Sequence, residues 1–397
     1  MGERFEGLRL WPATGQPIRS RIVLRWILPP GTYNTDKFVW RRIRNNTTCG
    51  CALIALLLFL GAQCVERVYL RLNQAATADL CSWDCNWYGS IAKDGYDTEP
   101  HGHANGDAAN WAFFPLFPMT ARYVGALNLP SMDMALVVTS KLFFLTAIFS
   151  FLLFATAWKQ GLNPWIAGLV AAFNPYSIYG NAGYSESLFL TTACLSLYFL
   201  KKDRFVASGL VGGLLSGTRI IGGSIGFSLL IRAVGRWRQS RNRDAIVLGL
   251  CLVPSGLAAY MLFLHCHMGD ALAFSSVQVA WNHAFGNPFL HLQAVFSNTP
   301  VSTSAGISIA VAAAAMLWLG KTGRYELLAF TVPATLLPLC TGLGSMPRFI
   351  WWQAPVLFAV AAAIGDRRWA AWLYLALSLC CSYMIYAAWF RGSGWVV

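Results

Sequence analysis

Charged side chains are scarce in this chain. Asp, Glu, Lys and Arg together make up 12% of the 397 residues, whereas hydrophobic residues make up 56%. A soluble domain needs far fewer apolar residues to fill its core, so the composition excludes a soluble protein and indicates an integral membrane protein. Alternating ten-residue amphipathic strands are also absent, which excludes an outer-membrane β-barrel. The chain is therefore expected to cross the membrane as α-helices.

Two catalytic motifs are missing as well. The chain has no glycine-rich phosphate loop ending in lysine and no His-Glu-x-x-His. These absences speak against nucleotide hydrolysis and zinc proteolysis. His101 and His103 stand near several acidic residues, but His-x-His is a weak metal pattern and we interpret the stretch as a solvated loop. No metal ligands are assigned, and the need for a divalent metal cofactor stays open.

Apolar runs recur along the chain and predict its fold class. They indicate an all-α, polytopic membrane protein with about ten or eleven transmembrane or half-membrane helices and helical extracytoplasmic loops. Segment 111–128 is short and interrupted by prolines, so it is not expected to cross fully. Segment 205–231 is expected to enter and return as two short helices around residues 217–219.

The basic residues are unevenly distributed, and this predicts the orientation. Residues 1–48 contain nine Arg or Lys against three acidic residues. By the positive-inside rule we expect a retained cytoplasmic N-terminus rather than a nucleic-acid-binding arm. Residues 49–397 would then form a single transmembrane domain, with active-site loops 67–133 and 266–300 on the extracytoplasmic side. The expected location is a bacterial inner membrane, or the endoplasmic reticulum if the protein is eukaryotic.

Asp84 is the first candidate for chemistry, because it stands among Trp83, Trp87 and Tyr88 next to an apolar run. One interpretation is a helix-capping carboxylate beside interfacial aromatic residues. The other is a general base at the water–lipid boundary, where aromatic faces hold a sugar or a lipid. Its position in the sequence does not decide between the two.

Three further charged residues lie beside or within apolar runs, where ionisable groups are rare. Glu186 begins such a run, where its negative charge either stabilises the first turn of a helix or forms part of a substrate site. Arg219 needs an anionic partner, either an internal carboxylate or a lipid phosphate. Arg348 begins a late span on the expected outer side, where it either snorkels to the interface or clamps a leaving phosphate.

Gln278 and Trp281 are three residues apart in the loop before a span. On a helix they would share a face, which suits a hydroxyl-binding amide beside a stacking ring. Taken alone they are also ordinary interface anchors.

The eleven cysteines give little indication of redox state, because most lie in or beside apolar runs. Cys81, Cys85 and Cys266 fall in expected extracytoplasmic loops. A disulfide and reduced thiols are both compatible with these positions.

Five blocks of sequence are spread from residue 83 to residue 350. They are WDCNWYGSIAKDGY at 83–96, NWAFFPLFP at 110–118, NPYSI at 174–178 with YSESLF at 184–189, GDALAFSSVQVAW at 269–281, and MPRFI at 346–350. In this order they resemble the PIG-V family of mannosyltransferases, membrane enzymes of the GT-C glycosyltransferase superfamily. Ser185 stands where the family pattern has threonine, and Ala271 where it has proline. The chain is shorter than eukaryotic members, which suggests a bacterial-type member whose acceptor need not be a GPI precursor.

The resemblance implies a GT-C-type fold and transfer of mannose, with inversion, from a polyprenyl- or dolichyl-phosphate-linked donor to a lipid or glycan acceptor. It implies that Asp84 is the base and that Arg348, with Arg219, binds the donor phosphate. The other residues implied to contact substrate are Trp83, Trp87, Tyr88, Asn110, Glu186, Gln278 and Trp281. The implied partners are the lipid bilayer, the donor and the acceptor, and no nucleic acid.

Two other functions stay compatible with the sequence. A related transferase could use another lipid-linked sugar, such as glucose or aminoarabinose, because pocket shape at one hydroxyl selects the sugar. A transporter or flippase would place ionisable residues at mid-membrane depth on several helices and would show repeated halves. Here the polar groups are expected on one side and no duplicated half is evident, so transport is disfavoured.

Overall fold

Apolar runs form helices in a membrane because their backbone N–H and C=O groups find no water there and must pair within the segment. The computed structural model describes residues 47–103, 106–239, 242–281 and 285–396. Almost all of the expected cytoplasmic segment 1–48 lies outside these residues, so its orientation stays a prediction. The chain from Thr48 onward forms one compact unit.

The described residues form seventeen α-helices and one two-stranded antiparallel sheet. The helices are α1 Thr47–Leu72, α2 Asp84–Asp94, α3 Leu116–Gly125, α4 Met132–Trp158, α5 Pro164–Ala172, α6 Glu186–Lys201, α7 Phe205–Ser216, α8 Ile225–Arg236, α9 Arg243–Leu252, α10 Ser255–Met268, α11 Ala273–Ser276, α12 Pro288–Ala294, α13 Pro300–Lys321, α14 Tyr325–Leu339, α15 Met346–Trp351, α16 Ala354–Ile364 and α17 Arg368–Phe390. Strands β1 His101–His103 and β2 Gly106–Ala108 pair with Gly102 opposite Asp107. This small hairpin is the one exception to a helical architecture, and the predicted all-α class is confirmed for the described residues.

Full-length and shorter apolar helices alternate in the fold. Among the described residues, four helices, α1, α4, α13 and α17, are long and apolar enough to cross a membrane. Helices α9 and α10 form a further apolar pair that is bent by 41°. Pro254 lies at this break and removes a backbone donor, which accounts for the bend. Helices α7, α14 and α16 are apolar but shorter, as expected for half-membrane elements.

The two segments that are not expected to cross the membrane as single spans, 111–128 and 205–231, both contain short helices. Helix α3 has 10 residues, which extend about 15 Å and are too short to cross the hydrocarbon. In segment 205–231, α7 ends at Ser216 and α8 begins at Ile225, with a 3-10 turn between them. The break at residues 217–219 is therefore confirmed. It places Arg219 between two helices rather than in the middle of a span.

Close helix packing encloses the start of α6. Helix α6 packs along both α4 and α7, and α7 packs against α9. A Cβ atom on Gly209 of α7 would lie 2.0 Å from the carbonyl oxygen of Gly249 of α9. Only glycine permits such an approach of two backbones, so this contact depends on both residues being glycine. The first residue of α6, Glu186, is buried as a result of this packing.

A buried polar cluster joins α1 to α4 without using any residue predicted for the active site. Lys141 forms an ion pair with Glu66 and donates a hydrogen bond of 2.7 Å to the Oε1 atom of Gln63. The Gln63 amide donates to Asn181 at 2.9 Å. The Glu66 side chain is 2% exposed, and its Oε2 atom has no hydrogen-bond partner among the described residues. Lys141 therefore compensates a carboxylate that apolar surroundings would otherwise disfavour strongly.

Breaking this pair from one side is expected to destabilise the fold. Lys141→Met should lower the free energy of unfolding by about 3–5 kcal/mol, because Glu66 stays buried without its partner. The double variant Glu66→Gln/Lys141→Met should recover most of that loss, since no unpaired charge remains. Thermal unfolding of the solubilised protein measures both variants. Equal losses in the single and double variants would show that packing rather than charge compensation is what the cluster contributes.

Candidate active site

Four charged residues from distant parts of the sequence meet in one network. The Nη1 atom of Arg348 donates a hydrogen bond of 2.6 Å to the Oδ2 atom of Asp84. The Nη2 atom of Arg219 donates to the Oε1 atom of Glu186 at 2.5 Å. The same Glu186 oxygen lies 3.3 Å from the Nε atom of Arg348, which links the two pairs. The sequence singles out all four residues, and the structure brings them together.

The network is largely shielded from solvent. The Glu186 side chain is 1% exposed and that of Arg219 13% exposed, while Arg348 and Asp84 are 10% and 16% exposed. Two arginines and two carboxylates cancel in formal charge. Because desolvation offsets much of the attraction in a buried ion pair, stability alone does not account for four such charges in one place. The arrangement is typical of a site that handles a charged substrate.

Asp84 begins helix α2 after an unusual backbone turn. Trp83, the residue before it, has φ 57° and ψ −117°, a conformation that bulky side chains rarely adopt. The Asp84 backbone N–H donates to the Tyr184 hydroxyl at 3.1 Å, and that hydroxyl donates to the Ser82 carbonyl at 3.2 Å. Strain of this kind persists only where neighbouring contacts hold it, and it is common at functional sites. Among the described residues the carboxylate bonds to Arg348 and not to the helix backbone, so the capping interpretation of Asp84 does not apply.

A disulfide joins Cys81 and Cys85 on either side of Asp84. The sequence leaves a bridge and free thiols open at these positions, and the structure has the bridged form, with Cys266 free. A Cβ atom on Gly183 would lie 2.4 Å from the Cys85 sulfur, and the φ of +76° at Gly183 also favours glycine. The bridge and the glycine together restrict how the chain can enter α2.

Arg348 belongs to the short helix α15, and three aromatic rings lie around its guanidinium group. Its Cζ atom lies 5.6 Å from the centre of the Tyr179 ring, 5.5 Å from that of Tyr184 and 5.4 Å from that of Phe349. Rings at this distance attract a cation through their quadrupoles. Tyr179 and Tyr184 are residues that sequence reasoning did not assign to the site. The signal was available, because both lie beside or within the blocks at 174–189.

Arg348 is a permanently charged and fixed group. Burial lowers the pKa of Arg348, but the negative charges of Asp84 and Glu186 outweigh it, so the pKa lies above its ordinary value. Its Nη2 atom also donates to the Ser345 hydroxyl at 3.3 Å. The side chain therefore stays within the protein, and the interpretation of a snorkelling arginine does not apply.

Ser185 is a second site residue that the sequence reasoning noted only as a departure from the family pattern. Its hydroxyl lies 3.0 Å from the Tyr88 hydroxyl and accepts a hydrogen bond of 3.0 Å from the Nε atom of Arg219. Burial raises the pKa of Tyr88, so that phenol stays protonated at neutral pH. Threonine, the family residue at this position, carries the same hydroxyl, and this was the signal that Ser185 belongs to the site.

Four aromatic rings pack next to the charged network. Trp87 stacks on Phe113 with ring centres 5.9 Å apart, and Trp281 meets them edge-on at 5.4 Å and 5.9 Å. Tyr88 packs edge-on against Phe113 at 5.2 Å. Trp87 and Tyr88 lie on the same helix as Asp84, so these rings border the network. Phe113 was not singled out in the sequence, although it lies in the block at 110–118.

Asn110 is fully buried, and its side-chain amide forms hydrogen bonds with α2 and with the loop that follows α2. Its Oδ1 atom accepts from the Asp97 backbone N–H at 3.0 Å, and its Nδ2 atom donates to the Gly95 carbonyl at 3.1 Å and to the Ser90 hydroxyl at 3.3 Å. These contacts brace the loop that follows α2. A direct contact of Asn110 with substrate stays a prediction, and the observed bonds point to a positioning role.

Gln278 and Trp281 lie on the 3-10 turn Val277–Trp281 rather than on an α-helix. Residues three apart eclipse one another in a 3-10 turn, so the two side chains still share a side, as expected. The Gln278 amide lies 3.5 Å from the Phe274 carbonyl, at the limit of a hydrogen bond. Among the residues that the structure describes, the Gln278 amide is therefore only weakly engaged.

A metal requirement stays open for this site. No group of three or more His, Cys, Asp or Glu side chains is arranged to hold a metal ion within the residues that the structure describes. The side chains of His101 and His103 lie outside that part of the chain.

The sequence that builds this network matches a known family. Residues 59–231, a little under half of the chain, match the family model described as Mannosyltransferase (PIG-V). This part of the chain is therefore similar to the PIG-V mannosyltransferase family. The matched part contains Asp84, Glu186 and Arg219, whereas Gln278 and Arg348 follow it. A comparison with curated proteins found none that matches the chain.

Several solved structures resemble this chain in fold. The apo oligosaccharyltransferase of Archaeoglobus fulgidus is 12% identical, over 85% of this chain and 56% of its own, with a TM-score of 0.48. The same enzyme in complex with zinc and sulfate is 12% identical, over 77% of this chain and 48% of its own, with a TM-score of 0.41. ArnT from Cupriavidus metallidurans bound to undecaprenyl phosphate is 13% identical, over 86% of this chain and 76% of its own, with a TM-score of 0.46. The chain spans about half the length of the archaeal enzyme.

Proposed function

We propose that the protein is a membrane mannosyltransferase that takes mannose from a polyprenyl- or dolichyl-phosphate-linked donor and transfers it to a hydroxyl group of a lipid or glycan acceptor. The observation that carries this proposal is the 2.6 Å contact between the Asp84 carboxylate and the Arg348 guanidinium. The first group suits a proton acceptor and the second suits a phosphate. The match of residues 59–231 to the mannosyltransferase family model supports the sugar and the class of reaction.

Asp84 has the position and the exposure of a general base. A base must come within about 2.6–3.2 Å of the hydroxyl whose proton it takes. At 16% exposure the Asp84 side chain is reachable by an acceptor, whereas Glu186 at 1% exposure is not. As the acceptor oxygen forms its bond to the anomeric carbon, its proton moves to Asp84. The neutral acid then returns the proton to water.

Arg348 and Arg219 suit the phosphate of the donor. During transfer the bond between the anomeric carbon and the phosphate oxygen breaks, and the electron pair leaves with the lipid phosphate, which gains one negative charge. Two arginines in a shielded site stabilise the charge that develops there. Both guanidinium groups lie within 3.3 Å of the same Glu186 oxygen, so they are close enough to act on one phosphate. Attack from the face opposite the phosphate inverts the anomeric configuration.

The aromatic rings beside the network suit the sugar and the lipid. Trp87 and Trp281 offer apolar faces, and Gln278 offers a weakly engaged amide on the same side as Trp281. Sugars commonly bind through a ring stacked on their apolar face and amides bonded to their hydroxyls. We assign these three residues to the mannose unit or to the acceptor.

The disulfide between Cys81 and Cys85 supports an extracytoplasmic active site. Disulfides persist in oxidising compartments and are rare in the cytosol. We therefore propose that the network faces the extracytoplasmic side and that the basic N-terminus lies in the cytoplasm. In a bacterium this corresponds to the outer face of the inner membrane.

The direct test is a donor panel. Purified protein is incubated with undecaprenyl-phosphate-linked mannose, glucose and aminoarabinose, together with membrane lipids as acceptors, and mass spectrometry follows each donor. We expect loss of the mannose donor and appearance of undecaprenyl phosphate and a mannosylated lipid. Consumption of a different sugar would contradict the mannose assignment, and consumption of none would contradict the transferase assignment.

A further inference from the structure

The ion pair between Asp84 and Arg348 joins two groups that the reaction needs apart. In transfer, Arg348 has to hold the donor phosphate while Asp84 has to accept a proton. In the structure the two groups are instead bonded to each other, with Arg348 donating to Asp84 at 2.6 Å. Resting on the proposed function, we infer that Asp84 holds the place of the donor phosphate on Arg348 and is released as a base only when that phosphate displaces it.

Of the two carboxylates near Arg348, Asp84 is the one that a phosphate can displace. Glu186 is 1% exposed, and Arg219 holds its Oε1 atom at 2.5 Å. Asp84 is 16% exposed, and among the described residues its ion pair is with Arg348 alone. Its backbone N–H is bonded to the Tyr184 hydroxyl, so rotation of the side chain alone separates the pair. The more exposed and less strongly held carboxylate therefore leaves first.

Arg348 itself stays in place during this exchange. The rings of Tyr179, Tyr184 and Phe349 lie within 5.6 Å of its Cζ atom, and Ser345 accepts a bond from its Nη2 atom. When Asp84 leaves, the Nη1 atom points its free N–H groups to the same place. A phosphate oxygen accepts such N–H groups as a carboxylate oxygen does. The carboxylate in the structure thus stands where the phosphate binds.

Charge balance favours exchange over simple addition. The four side chains of the network cancel in formal charge, so an incoming anion gains little attraction while Asp84 stays paired. Donor binding therefore loads the phosphate site and creates the base in one event. In the absence of donor the base stays paired, which prevents it from acting on other hydroxyl groups.

A binding measurement that needs neither sugar nor acceptor tests this exchange. Farnesyl phosphate is titrated into the full-length wild type, Asp84→Asn and Asp133→Asn proteins in detergent, with farnesol as the probe that lacks phosphate. Asparagine keeps the shape of Asp84 but no longer competes for Arg348. We expect farnesyl phosphate to bind Asp84→Asn about tenfold more tightly than the wild type, because the fraction of Arg348 free to bind rises. Asp133 is 47% exposed and lies 4.0 Å from Lys93, so Asp133→Asn should bind as the wild type does.

The outcomes separate the exchange from the proposed function. Equal or weaker binding by Asp84→Asn, when the wild type prefers farnesyl phosphate to farnesol, overturns the exchange and leaves the transferase proposal standing. Equal tightening in Asp133→Asn also overturns it, because the effect would then come from the general field of the protein. Failure of the wild type and Asp84→Asn alike to distinguish farnesyl phosphate from farnesol contradicts the phosphate site itself.

A measurement on the unmodified protein covers the case in which Asp84→Asn does not fold. A water-soluble carbodiimide labels carboxylates, and mass spectrometry gives the extent of labelling at Asp84. We expect farnesyl phosphate to increase labelling of Asp84 relative to farnesol, because the carboxylate leaves its arginine. Unchanged or reduced labelling overturns the exchange.

Discussion

Asp84→Asn should lower the turnover of sugar transfer by about 10²- to 10⁴-fold, the range that general base catalysis contributes. The amide has nearly the shape of the carboxylate but cannot accept the acceptor proton. The protein should still fold, because Arg348 keeps Glu186 at 3.3 Å and its aromatic neighbours. Transfer from the mannose donor identified by the panel, followed by mass spectrometry, measures the effect.

The control for Asp84→Asn is the same substitution at Asp133, which lies outside the charged network. Asp133→Asn should retain turnover within about twofold, since exposed substitutions away from a site have small effects. Tight binding of farnesyl phosphate by the Asp84→Asn protein would show that its loss is in the chemical step. Wild-type turnover by Asp84→Asn would refute the assignment of the base.

Arg348→Lys is expected to lower turnover by about 10²- to 10³-fold, although the charge is kept. Arginine presents two N–H groups in a plane, as seen here toward Asp84 and Ser345, and this fork matches two oxygens of a phosphate. A lysine ammonium is a point charge and cannot contact both sides. The loss should therefore appear in the chemical step, in which the bond between the sugar and the lipid phosphate breaks. Single-turnover kinetics with the mannose donor measure that step apart from product release.

Arg122 offers the matched comparison for Arg348. It is an exposed arginine on α3, outside the network. Arg122→Lys should leave turnover within about twofold of the wild type. Small and equal effects at Arg122 and Arg348 would mean that the planar fork has no part in the reaction, and Arg348 would then be a structural cation.

The two charge clusters of the protein differ in what they are able to do. In the cluster of Glu66, Lys141 and Gln63, the carboxylate is 2% exposed and the partly exposed group is the Lys141 ammonium. In the cluster of Asp84 and Arg348, one carboxylate retains contact with solvent. Both clusters carry the desolvation cost of buried ions. Only the second has a carboxylate in contact with solvent, and a proton acceptor for an incoming hydroxyl group has to be such a carboxylate, which is the physical reason to propose the chemistry there.

Much of the fold was predictable because membrane helices follow from composition. Hydrocarbon allows few alternatives to a helix, so a long apolar run is enough to predict each of the helices α1, α4, α13 and α17. The break in segment 205–231 was also predictable, since an arginine preceded by glycine and threonine interrupts an apolar run. The bent pair α9 and α10 follows in the same way from Pro254.

The site was predictable in its members but not in its contacts. Asp84, Glu186, Arg219 and Arg348 stand out because charges beside apolar runs are rare. Their pairing was left open, and the structure pairs Arg348 with Asp84 and Arg219 with Glu186. Tyr184, Phe113 and Ser185 were missed although they lie in the blocks at 110–118 and 184–189, because aromatic and hydroxyl residues are common in this chain and residue type alone does not single them out.

Local composition is enough to predict that the chain is helical and embedded in the membrane. It is also enough to identify the few charged residues that need a partner, because these stand beside apolar runs. Tertiary structure alone decided which partner each charge takes. Asp84 and Arg348 are 264 positions apart, and no local pattern reports a contact over that distance. That contact depends on how α2, α6 and α15 pack, which is set by shape and by close approaches such as that of Gly183, just before α6, to Cys85 of α2.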